Sequence, residues 1–112
     1  MPWKVINFET ARGEKPIEEF INRQQASTKA KIIHNIRLLK QYGNLLGMPR
    51  SKRLDKNLFE LRIRGKQELR IFYCFKERDV LFLHIFKKQT QKTPQKELQI
   101  AYHRMKIMID KT

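Results

Sequence analysis

The chain is poor in cysteine, in acidic residues and in long apolar runs. Its single cysteine, Cys74, cannot form an internal disulfide, so a reducing cytoplasm is the expected setting. No run of ~18 apolar residues occurs, which excludes a transmembrane helix of ordinary length. The first fifteen residues, MPWKVINFETARGEK, contain no apolar core of a secretory signal. No internal repeat or low-complexity tract is present. The scarcest class is acidic: 11 Asp and Glu stand against 25 Lys and Arg, for a net charge of +14. Such an excess predicts a polyanionic partner, with a merely basic soluble protein as the bland alternative. Seventeen of the 25 basic residues fall in residues 48–112.

At 112 residues the chain predicts one small domain, 1–112, with a single modest core. Trp3 to Phe8 alternates and reads as a first strand. Pro16 suits the first turn of a helix, and Glu18 and Glu19 suit the positive end of its dipole. Ile17, Phe20 and Ile21 share one face. Ala26-Ser27-Thr28 breaks the pattern and offers the cap of a second helix. Its apolar stripe is Ile32, Ile36 and Leu39, and Gly43 closes it. These two helices predict a hairpin packed on a sheet.

Residues 44–57 read as a loop carrying Arg50, Lys52, Arg53 and Lys56. A solvated basic loop and a phosphate-gripping rim both fit that cluster. Three strands follow. Phe59, Leu61 and Ile63 alternate with Glu60, Arg62 and Arg64, which predicts a dry face and a wet face. Leu69, Ile71, Tyr73 and Phe75 form the core face of the next strand, with Arg70 opposite. Val80 to Phe86 is almost wholly apolar, as in a central strand covered on both sides. Thr93-Pro94 starts a last helix, with Leu98, Ala101, Met105 and Met108 at helical spacing. The predicted class is α+β, in the order β-α-α-β-β-β-α. It is a small antiparallel-rich sheet with an N-terminal helical hairpin and a C-terminal helix.

If Gly65 to Gln67 is a three-residue loop, Arg62 lies directly opposite Arg70, with Cβ atoms ~5 Å apart. Two facing arginines are unfavourable unless an anion sits between them. Lys87 and Lys88 leave the neighbouring strand near the same end. This cluster suits RNA cleavage, in which the 2′-hydroxyl attacks its own phosphate and charge builds on the phosphoryl oxygens. Glu60, His84 or a lysine of depressed pKa could move the protons. A hydrogen-bonded core histidine and a salt-bridging glutamate are the structural alternatives for His84 and Glu60. The three histidines and Cys74 show no metal-ligand spacing, and no nucleophile-elbow, P-loop or dinucleotide motif occurs. Cys74, inside a strand, reads as core.

The segments LFELRIRGKQELRIFY and VLFLHIFKKQTQKTPQKELQIAYHR resemble the phage-derived HigB branch of the RelE/ParE toxin superfamily, over residues 3–110. The resemblance implies a microbial-RNase-like fold. It also implies a type II toxin, an mRNA interferase that cuts messages on the ribosome without cofactor or metal. The implied partner is a helix-turn-helix, HigA-like antitoxin through which the complex binds operator DNA. By this resemblance Arg62, Arg70, Lys87 and Lys88 carry the site, while Glu60 and His84 stand as candidates on the proton-transfer chemistry alone. Arg50, Lys52, Arg53, Lys56, Arg64 and Lys92 are the expected RNA contacts. The lysines that RelE-type members carry in the first of these strands are replaced here by Glu60 and Arg62. The base-stacking tyrosine is replaced by Thr93-Pro94, with no aromatic until Tyr102. The same scaffold serves ParE-like inhibitors of gyrase, and a non-catalytic RNA-binding module is a third reading.

Overall fold

The computed structural model describes residues 2–111. Strand β1 (Lys4–Asn7) is followed by helices α1 (Pro16–Asn22) and α2 (Ala26–Tyr42). Strands β2 (Ser51–Asp55), β3 (Leu58–Ile63), β4 (Leu69–Lys76) and β5 (Asp79–Lys87) come next, then helix α3 (Gln95–Asp110). The five strands form one sheet in the order β1-β5-β4-β3-β2. All neighbours run antiparallel except β1, which lies parallel to β5. The expected α+β class and helical hairpin are therefore present.

Strand β2 was expected to be loop. Only Ser51 is buried and Leu54 half-buried in it, while Lys52 and Arg53 point to solvent. It is an edge strand, and charged side chains on an edge discourage pairing with other chains, which also hides the usual alternation. The cap of α2 falls slightly earlier than expected and that of α3 one residue later, since Thr93 was the expected cap and Pro94 the expected first helical residue. Gln25 caps α2 and Pro94 caps α3, neither by a side-chain hydrogen bond.

The sheet is covered on both faces. Ile17, Ile32 and Leu39 pack with Leu61, Ile63, Leu69, Ile71, Tyr73 and Phe82 on one side. Leu58, Phe72, Cys74, Leu81, Leu83 and Phe86 pack against Leu98, Ala101 and Met105 of α3 on the other. The face opposite the main core is thus largely dry, contrary to the wet face that alternation predicted. The methionine-bearing stripe of α3 is core. A register shift between Phe72 and Tyr73 leaves Leu83 unpaired, because Phe72 meets His84 and Tyr73 meets Phe82. This bulge brings Leu83 and His84 to the α3 side together. No helix among the described residues is long and apolar enough to cross a membrane.

Candidate nucleic-acid interface

The β3–β4 register places Arg62 opposite Arg70, as the three-residue loop requires. The anion that relieves their repulsion belongs to the protein. Glu60 Oε1 accepts hydrogen bonds from Arg62 Nε and from Arg70 Nε, each at 3.0 Å. Glu60 precedes Arg62 by two residues and so shares its side of the strand. Arg70 is almost fully engaged. Its Nη2 donates to Glu68 Oε2 at 2.9 Å and its Nη1 to the Leu69 carbonyl at 3.3 Å. Its side chain is 4% exposed, against 14% for Arg62. Among the described residues the terminal nitrogens of Arg62 have no partner. Of the two guanidinium groups, Arg62 is the one free to receive an external anion.

Arg62 opens on a cleft of about 500 Å³ between α2 and the C-terminal end of β3. Lys31, His34 and Asn35 line it from α2, Arg50 from the preceding loop, and Arg64 from beyond the end of β3. Among the described residues no carboxylate lines it. Arg50 is built into place twice. Its carbonyl accepts the Arg62 N–H at 2.7 Å, and its Nη1 donates to Asn35 Oδ1 at 3.0 Å. Asn35 is buried and its amide donates back to the Lys31 carbonyl at 2.8 Å. Both ends of the buried amide are thus satisfied. Four cations and one imidazole surround a hollow that can hold a phosphate group, and their mutual repulsion favours an anion within it.

Lys31, His34 and Asn35 were not singled out by the sequence as site residues. The available signal was Asn35, a polar residue at the i+3 position between Ile32 and Leu39 of the buried stripe. A buried amide demands partners, and partners bring a loop to that helix face.

The other expected site residues are dispersed. His84 sits under α3, stacked on Phe86 at 5.5 Å between ring centroids. Its Nε2 pairs with Glu97 Oε1 at 2.8 Å, and Arg104 Nη1 lies 3.4 Å from Nδ1. Burial holds its pKa below the ordinary histidine value despite Glu97. The tautomer that satisfies both partners keeps its proton on Nε2 and accepts at Nδ1. Lys87 is exposed at the strand end. Lys88 donates its N–H to the Glu68 carbonyl at 2.8 Å and lines a shallow hollow with Glu68, Gln89 and Thr90. Lys52 lies in register with Glu60 on the outer strand. Arg53 donates to the carbonyls of Asp55 and Lys56, each at 2.9 Å, and closes the β2–β3 turn. Lys56 is exposed in that turn, and Lys92 lies in the loop before α3 with its carbonyl bound by Thr90 Oγ1. Tyr102 donates to Asp55 Oδ2 at 2.6 Å. The Cys74 thiol is pushed up to about 11 by burial, consistent with a core residue.

No curated protein matches the chain significantly. A family model does, that of "Phage derived protein Gp49-like (DUF891)", over residues 19–106. The matched span contains Lys31, His34, Arg50, Glu60, Arg62, Arg64 and Arg70, and so the whole lining of the basic cleft. With that span covered from α1 to α3, the chain belongs to the phage-derived Gp49-like family, within the RelE/HigB-like toxin group.

Proposed function

We propose that this protein is the toxin of a type II toxin–antitoxin pair and acts as an mRNA endoribonuclease on the ribosome. The observation that carries the reading is the cleft lined by Lys31, His34, Arg50, Arg62 and Arg64, with no carboxylate among the described residues of its lining, in a member of a toxin family. In the proposed reaction the RNA 2′-oxygen attacks the adjacent phosphorus and the 5′-oxygen leaves. The products are a 2′,3′-cyclic phosphate and a free 5′-hydroxyl. Negative charge rises on the phosphoryl oxygens, and Arg62 is the guanidinium that meets it. Arg70 acts one step behind, holding Glu60, which in turn holds Arg62 Nε. Guanidinium keeps its proton, so Arg62 is not the base. His34 is the accessible imidazole in the cleft and is assigned the proton transfer. His84 is occupied by Glu97 and Arg104 and serves the fold. Lys87 and Lys88 extend the backbone-binding surface.

The natural partner in this reading is a helix-turn-helix antitoxin that neutralises the toxin and carries the complex to operator DNA. The experiment is controlled expression in bacteria, with mapping of new mRNA 5′ ends, for wild type and Arg62→Ala. Growth arrest with codon-phased cuts, both lost in the variant, is the expected result. Arrest with intact mRNA and accumulating DNA breaks would replace this reading by a gyrase inhibitor.

A further inference from the structure

A second trough of about 400 Å³ opens beside the first, between the α1–α2 turn, the start of α2 and the β3–β4 hairpin. Lys31 and Arg64 line both hollows. Lys31 reaches across to the hairpin, where a methyl group added at Gly65 would stand 2.9 Å from its Nζ. The outer trough adds Arg23 and Lys66 to these two cations, and among the described residues again no Asp or Glu lines it. Among the described residues no ion pair neutralises Arg23, Lys31 or Lys66. Arg64 has a single long contact, 4.0 Å to Glu68. The two hollows share Lys31 and Arg64 and form one path along which positive charge exceeds the little that Glu60 and Glu68 offset.

A small-molecule pocket is mostly apolar, with a few convergent polar groups. An open path of cations, flanked here by Gln25, Ser27 and Gln67, suits a chain-like anion instead. We propose that the outer trough is a second phosphate-binding site, which holds the sugar–phosphate backbone of the same RNA strand beside the reacting linkage. This rests on RNA being the ligand of the inner cleft. Lys31 and Arg64 bridge the two sites, and Arg23 and Lys66 serve the outer one alone. Contacts of this kind set position along the strand and carry no base preference. Arg53, tied to two carbonyls of its own turn, lies off this path, as do Lys52 and Lys56.

The test uses the purified full-length protein and fluorescein-labelled 2′-O-methyl RNAs of three and twelve nucleotides, which bind without being cut. Anisotropy is read between 50 and 200 mM salt for wild type and for the doubly substituted Arg23→Ala, Lys66→Ala protein. Both positions are exposed, and circular dichroism checks the fold. The variant is expected to lose about tenfold in affinity for the 12-mer. Its log–log salt slope should become shallower by about 1.4, the value for two lost single-strand phosphate contacts. Its affinity for the 3-mer should stay within about twofold. Unchanged 12-mer binding and slope, with wild type binding normally, overturns the outer site alone. Equal losses for both lengths overturn it too, because the residues then act through the general field. Wild type that binds neither RNA at 50 mM salt removes the RNA reading itself.

Discussion

Arg70 Nε and Glu60 Oε1 are joined by a hydrogen bond of 3.0 Å, and water reaches 4% of one side chain and 2% of the other. A pair this dry offsets its own desolvation with difficulty, but losing one partner is worse, because it strands a buried charge. Glu60→Gln leaves two arginines facing each other across the strands and is expected to destabilise the protein by about 3–5 kcal/mol. Arg70→Ala should cost a similar amount. The double replacement Glu60→Gln, Arg70→Ala should cost clearly less than the sum. Urea denaturation of the four proteins checks this, and additive single losses would show that the two residues do not act as a unit.

Arg62 shares Glu60 but lies nearer to solvent, and among the described residues nothing occupies its terminal nitrogens. Arg62→Ala should therefore lower mRNA cutting by about 10²–10³-fold, the usual effect of deleting one transition-state donor. Its denaturation midpoint should move far less than that of Arg70→Ala. Cutting at the wild-type rate in Arg62→Ala protein would remove Arg62 from the chemistry.

His34 is exposed in the same cleft. Its loss should slow cleavage by about 10²-fold or more, in the range of general acid–base catalysis. Binding of uncleavable RNA should be nearly unchanged in His34→Ala. A pH–rate profile that keeps its shape in the variant would assign the proton transfer to another group.

The arginine pair was legible because β-strand alternation and a short loop fix which residues face each other, and Arg62 meets Arg70 in the structure. The anion between them was harder to see. Glu60 occupies a position where a catalytic base and a structural counter-ion look identical in one dimension, and only burial separates the two. Strand β2 was hidden because an edge strand need not alternate. The basic cleft was hidden for another reason. Its walls come from α2, the loop at Arg50 and β3, and no local pattern records that a helix and a loop converge. Arg50, Arg62 and Arg64 were legible as charged site residues, and only Asn35, an amide inside an apolar stripe, signalled that α2 meets them.

His84 gives the protein a predictable response to acid. In the unfolded chain it takes a proton near its ordinary value of ~6.5. In the folded protein burial lowers that value, with Arg104 adding to the shift and Glu97 opposing it. Between the two values the unfolded state holds more protons, so acid favours unfolding. The contribution of the neutral imidazole is fully present above pH ~6.5. It declines as pH falls toward the folded value and levels off below it. His84→Gln can keep a donor toward Glu97 and does not titrate, so its stability should fall less than that of wild type from pH 7.5 to pH 5. Urea unfolding at the two pH values measures the gap between the proteins. A gap that stays constant would mean that His84 binds its proton equally in both states, and that the Glu97 contact offsets its burial in full.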